Sequence, residues 1–313
     1  MGFAGAMAVA MAIDAALGWP ERVFQAIGHP VTWLGRLIDV ADANWNRDSD
    51  PPALRRSAGL IAALVVVALA AGLAWIVQAQ LVTAWSRIVI AGILAWPLVA
   101  LRSLYDHVSA VARPLQSGDI AAAKSAVARI VGRDPDHLDE AGIARASIES
   151  LAENASDGIV APLFWGAIFG LPGIAGYKAI NTLDSMIGHR TPRHEAFGWA
   201  AARIDDVANY IPARLTGLLF ALLSEHCKVA MWCMICDGPR HRSINAGWPE
   251  AAMAGALDVR LSGPRIYHGQ LTDEPWLNGG ARDPLGADIT RALKLYRRAT
   301  WLLAATFVIL AFV

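Results

Sequence analysis

Three clusters of carboxylates and carboxamides stand between residues 149 and 212 of this chain, each spaced for one face of a helix. Glu149, Glu153 and Asp157 recur at i, i+4 and i+8, with Asn154 beside them. Asn181 and Asp184 lie one helical turn apart, as do the Asp205-Asp206 pair and Asn209. Side chains three or four apart meet on a helix, and like charges there destabilise it, so the acidic stripe calls for a counter-cation. Mg²⁺ suits: it is hard, oxygen-seeking and held by one or two carboxylates together with substrate phosphates. The cations Lys178, Arg190, Arg193, Arg203 and Arg214 are interleaved with these acids. Carboxylates for a metal alternating with cations for phosphate is the pattern of a phosphoryl or nucleotide site. A solvated helix face with internal ion pairs explains one such cluster. It explains three around an apolar segment poorly, because ionisable groups beside membrane segments are costly unless they serve a site.

The elements that must position these residues belong to a membrane. The chain has 313 residues, 55% of them hydrophobic, with mean hydropathy +0.39 and 17% charged. A soluble domain carries about 25% charged residues. The formal net charge of zero offers nothing to nucleic acid or an acidic polymer. Trp19, Trp75, Trp85, Trp96 and Trp301 fall near the ends of apolar runs, as interfacial tryptophans do. Residues 1–19 lack a basic n-region and read as a retained first membrane helix rather than a secretory signal. Residues 57–77 and 82–101 each suffice for a span of about 20 residues, and the connector 78–81 predicts a helical hairpin between them.

Residues 102–156 read as amphipathic helices outside the bilayer, with a start at Gly118-Asp119 and a break at Asp134-Pro135. The apolar stretch 158–177 is punctuated by Pro162, Gly166, Gly170, Pro172, Gly173 and Gly176. It predicts a broken or re-entrant helix buried in protein or lining a cavity. Residues 211–236 are apolar but interrupted by Arg214 and Ser224-Glu225-His226; 237–298 form a polar region; 299–313 form a last apolar segment. The expected fold is all-α, a polytopic integral membrane protein of one domain over 1–313. Lysine and arginine counts put the loops 20–56, 102–156 and 237–298 in the cytoplasm. If 158–177 and 211–236 are re-entrant, residues 178–206 lie there too.

Other signals are weaker. Cys233 and Cys236 make a lone CxxC, with His226 upstream and no second pair; packing explains it better than a metal. His29-Pro30 with Trp33-Leu34-Gly35-Arg36 forms a polar knot best read as structural, and His189 and His194 fit a surface loop as well as a phosphate site. Asn245-Ala-Gly-Trp-Pro249 reads as a turn into a small-residue helix over 251–257. No P-loop, G-x-G-x-x-G fingerprint or G-x-S-x-G elbow occurs.

ASIESLAENASDGIVAPLFW, INTLDSMIG, RIDDVANYIPARLTGLL and NAGWPEAAMAGAL, with GHPVTWLGRLI near the start and IVGRD at 130–134, resemble the CobD/CbiB family of cobalamin biosynthesis from about residue 14 to 300. Family members often carry G-D-P after the first helix where this chain has Gly18-Trp19-Pro20, which leaves that turn out of the site. The resemblance implies a multi-pass inner-membrane amide synthase, an adenosylcobinamide-phosphate synthase. It would join the f-side-chain carboxylate of adenosylcobyric acid, a corrinoid, to (R)-1-aminopropan-2-ol or its O-phosphate with ATP and Mg²⁺. ATP would convert the carboxylate to an acyl phosphate, the amine would attack, and phosphate would leave. The residues then suggest roles. Glu153, Asp157, Asp184, Asp205 and Asp206 serve Mg²⁺ or act as general base, with Glu149 a further metal ligand. Asn154, Asn181 and Asn209 support them, and Lys178, Arg190, Arg203 and Arg214 hold ATP or aminopropanol phosphate. The site faces the cytoplasm, where ATP is; lipid surrounds the spans and no nucleic acid takes part. An Mg²⁺-dependent intramembrane prenyltransferase would use similar acid-rich helix ends, and a corrinoid or amine transporter would need paired broken helices.

Overall fold

Within a bilayer only structures that satisfy their own backbone groups survive, and this composition leaves helix as the solution. The computed structural model describes residues 2–131, 137–267 and 270–312, without the side chains of 265–267, 270 and 271. The expected break at Asp134-Pro135 lies outside the described residues. In chain order the helices are α1 (Gly2–Leu17), α2 (Glu21–Ile27), α3 (Pro30–Trp45), α4 (Pro52–Ala79), α5 (Ala91–Ala95), α6 (Leu101–Gln116), α7 (Ile120–Val127) and α8 (Glu140–Ala155). They continue as α9 (Ala161–Phe169), α10 (Leu171–Ile187), α11 (Trp199–Ala208), α12 (Tyr210–Leu223), α13 (Cys227–Cys236), α14 (Gly247–Leu257) and α15 (Gly286–Phe312). Four short strands, β1 (Leu261–Ser262), β2 (Arg265–Tyr267), β3 (Gln270–Thr272) and β4 (Trp276–Leu277), pair antiparallel as β1 with β4 and β2 with β3.

Among the described residues, Pro52–Ala79, Ser86–Gln116 and Gly286–Phe312 are long and apolar enough to cross a membrane. The bent pair Gly2–Leu17 and Glu21–Trp45, folded by 109°, makes a fourth candidate. Two expectations differ from the structure. α1 has 16 residues, too few for a span alone, and counts only together with the bent α2–α3. The hairpin expected between 57–77 and 82–101 does not form as such: α4 packs chiefly on α10, and Ser86–Ala95 packs on α1. The apolar segment 299–313 forms the end of a longer helix that begins at Gly286, its first turns carrying the polar residues Asp288, Arg291 and Arg297.

The chain divides into two compact units, residues 1–100, 161–209 and 304–313 in unit 1, and residues 101–160 and 210–303 in unit 2. In unit 1 the core joins α3, α4, α10 and α11 through Ile38, Ala62, Ala63, Val66, Leu183 and Phe197. The alanines on α4 let the backbones approach, as small residues do between membrane helices. The stretch 158–177 is broken as expected: Gly170, at φ +73°, separates α9 from α10, which pack on each other. The Oε1 of Gln78 at the end of α4 accepts from Leu171 N at 2.7 Å and so caps α10. In unit 2, α14 is buried along nearly its whole length and packs on α12, α13 and α8. Asp119 starts α7, as expected, by accepting from Ala122 N at 2.9 Å, and Asp139 starts α8 from Gly142 N at 2.7 Å. Five apolar residues of amphipathic α6, from Leu104 to Leu115, are buried.

Candidate active site

In unit 1 the polar faces of α10 and α11 meet. Helical spacing aligns Tyr177, Asn181 and Asp184 on α10, and Asp205, Asp206 and Asn209 on α11. Buried Asn209 donates to Asp205 Oδ2 at 3.0 Å and accepts from the Tyr177 hydroxyl at 2.8 Å. This Tyr177–Asn209–Asp205 chain braces the two helices. Asp206, the next residue, is half-buried and ion-paired to Arg203 Nη1 at 2.9 Å. Asp184 and Asp206 lie outside the helices long enough to span. Burial pushes Asp184 above the usual carboxylate range, and the nearby Asp206 charge adds to this against His189 and Arg203. Burial raises Asp206 as well, with Arg203 opposing. Carboxylates raised by burial along one polar seam are where a divalent cation would be favoured.

Lys178 and Asn181 are half-buried on α10, with Lys178 interacting electrostatically with His29. Arg190 is exposed in the loop after α10. Arg193 and His194 have a different task. Asp42 on α3 takes Arg193 Nη2 at 2.8 Å and faces His194 Nε2 at 3.4 Å. Asn46 donates to Asp42 at 2.7 Å and to the Arg193 carbonyl at 3.0 Å, and Arg55 Nε donates to Asn46 at 2.7 Å. These bonds fasten the loop 188–198 to α3. His29 is structural too: it caps α3 by accepting from Val31 N at 3.2 Å and lies edge-on to Trp19 at 5.0 Å.

In unit 2 the acidic stripe changes environment along its length. Glu149 is buried and accepts from Ser262 N at 2.7 Å, Glu153 and Asn154 are exposed, and Asp157 is half-buried. A π-helical turn, Ser156–Val160, follows α8 and carries Asp157; such turns recur at functional sites. Arg214 donates to Asn245 Oδ1 at 2.9 Å and to the Tyr210 and Ile244 carbonyls at 2.8 and 3.1 Å. It stacks on Tyr210 and Trp248, so it ties α12 to the turn before α14. Asp283 is held below the usual range by hydrogen bonding from Arg260, with Arg145 also paired to it.

Sequence reasoning missed a buried polar group in this unit. Ser262, at φ +60°, donates to Glu274 at 3.4 Å while its N–H serves Glu149. Arg242 Nε is 3.3 Å from the second Glu274 oxygen, and His241 stands 3.7 Å from Glu250 inside α14. An acid inside the otherwise small-residue run EAAMAGAL was the signal for Glu250; Glu274 had none. Tyr177 was also missed, although its place four residues before Asn181 puts it on the same helix face. The CxxC packs as expected: burial pushes the Cys233 thiol up to about 11, and all three cysteines are free. Among the described residues no three His, Cys, Asp or Glu side chains gather as a ready-made metal cage.

The family model described as CobD/Cbib protein matches residues 7–296. The cobalamin biosynthesis protein CobD of Rhodobacter capsulatus is 61% identical over 299 residues, covering 96% of this chain and 94% of the relative. That of Brucella suis is 47% identical over 300 residues, covering 93% and 91%, and that of Sinorhizobium fredii 43% over 313 residues, covering 97% and 95%. No solved structure matches. With agreement over nearly its whole length, the chain belongs to the CobD/CbiB family.

Proposed function

We propose that this protein is the amide-forming enzyme of its family, an adenosylcobinamide-phosphate synthase of cobalamin biosynthesis. It would join a corrinoid carboxylate to aminopropanol or its phosphate with ATP and Mg²⁺. The observation that carries the reading is the Asp184–Asp206 pair, two carboxylates held near each other where burial makes both harder to ionise. Two hard oxygen donors fit Mg²⁺ shared with substrate phosphates. ATP, with the ion neutralising its charge, would supply the phosphoryl group that makes the carboxylate a competent acyl donor.

The chain's own residues do the rest. Asp184 and Asp206 hold the cation, with Asn181 one turn away from Asp184 as a neutral donor. The Tyr177–Asn209–Asp205 brace keeps α11 against α10, so that Asp206 stays in place. Lys178 and Arg190 are the cations for phosphate, while Arg203 balances Asp206 and Arg214 holds α12. Unit 2 carries Glu153 and Asp157, with Asn154 beside them, on its own helix end, carboxylates of the kind that take an ammonium proton. Glu149 supports β1 through Ser262.

An amide-formation assay on the full-length protein in nanodiscs tests this. Asp184→Asn and Asp206→Asn should each lower kcat by about a hundredfold or more, with a raised Mg²⁺ requirement. Full activity of both at ordinary Mg²⁺ would remove the pair from the site, and no ATP-dependent amide formation by the unaltered protein would remove the reaction.

A further inference from the structure

An apolar groove of about 640 Å³ runs along unit 1 between α4, α10 and α11, floored by Trp165 of α9. Its α4 wall extends from Leu60 to Ala71. At 1.5 Å per residue that is roughly 16 Å, about half of a hydrocarbon core near 30 Å thick. The groove is therefore one leaflet deep. Its α4 side belongs to the most hydrophobic candidate span, whose residues Ile61, Leu64, Leu69 and Leu73 are exposed. The solvent around the groove is thus lipid. Val207, on the α11 rim, is 76% exposed.

Arg203 is the single charged residue among those lining the groove. Trp199, one turn earlier on α11, also lines it and is half exposed. The exposed Arg56 guanidinium sits over the Trp199 ring, 5.7 Å from its centroid. Arg56 directly precedes the uncharged part of α4, where interfacial arginines stand. Asp206 balances Arg203 within the groove, and Arg56 brings a positive charge to the Trp199 end.

The geometry points to a binding site for one anionic phospholipid, its acyl chain in the groove and its headgroup phosphate between Arg56 and Trp199. An apolar slot one leaflet deep suits the chain, and a cation beside an indole at the surface suits the phosphate. Tyr177 and Arg203 line the groove and also flank the proposed reaction site, whereas Arg56 and Trp199, which hold the headgroup, take no part in the reaction.

Native mass spectrometry of the full-length protein, delipidated in mild detergent and given phosphatidylglycerol or phosphatidylcholine, reads the result. The unaltered protein should retain one phosphatidylglycerol in preference to phosphatidylcholine. Arg56→Gln should weaken that retention about fivefold and weaken phosphatidylcholine less, because its choline already offsets the phosphate charge. Gly176→Leu, whose side chain enters the groove, and Val207→Trp, which covers it from the exposed rim, should lose both. Val207→Trp carries the test if Gly176→Leu fails to fold by circular dichroism. Equal retention of the two lipids, undiminished phosphatidylglycerol in Arg56→Gln or Val207→Trp, or its displacement by inorganic phosphate alone would overturn the assignment.

Discussion

Burial of Asp184 beside Asp206 has a consequence for stability as well as chemistry. A carboxylate whose pKa is raised on folding stabilises the native state only while protonated, below its ordinary range, and that contribution is lost as pH rises through the raised value. At neutral pH the Asp184 charge is therefore a burden on the fold. Asp184→Asn should be more stable than the unaltered protein at pH 7, with the difference closing as pH falls into the ordinary carboxylate range; thermal unfolding across pH measures it. A less stable variant at pH 7 would mean that the carboxylate is held by favourable contacts instead. Spacing within one helix was readable at this scale, because i, i+3 and i+4 neighbours share a face whatever surrounds them. The partner across the seam was not. Arg190 and Arg193 look alike in the sequence, yet Asp42 neutralises the second, and no local pattern links residues 42 and 193.

At the level of elements, close backbone approach decides how α11 is presented. A Cβ on Gly59 of α4 would lie 1.8 Å from the carbonyl oxygen of Phe197, just before α11, whereas one on Gly72 would meet nothing within 4 Å. Gly59→Leu should cost about 3 kcal/mol or more, while Gly72→Leu, on the same helix, should be nearly neutral. Comparing yield and melting temperature of the two variants checks this, and equal behaviour would show that α4 and α11 need not approach so closely. The breakers between 158 and 177 announced a broken segment, and one glycine with positive φ executes the break. The hairpin expected from the short connector 78–81 failed for a related reason. Chain proximity favours pairing of neighbours, but α4 finds a better surface in α10, which carries Ala179 and Leu183 into the same core.

On the scale of the whole molecule, the polar residues must work from one side of the bilayer if ATP is to reach them. Ser185, exposed on α10 one residue after Asp184, reports that side. In a background without Cys227, Cys233 and Cys236, Ser185→Cys should react with a membrane-impermeant maleimide only from the cytoplasmic face. Labelling from the periplasm would sink the re-entrant topology proposed for α9 and α10. Composition and periodicity by themselves determined that the chain is helical and membrane-embedded, and roughly where its polar stretches lie. Those are properties of apolar content and local spacing, which act within a few residues. Only the tertiary structure decided which acids burial raises, which cations are already matched, and that Glu250 and Glu274 are buried. Those outcomes depend on contacts between residues far apart in sequence, where burial and pairing are set by whichever surfaces pack best.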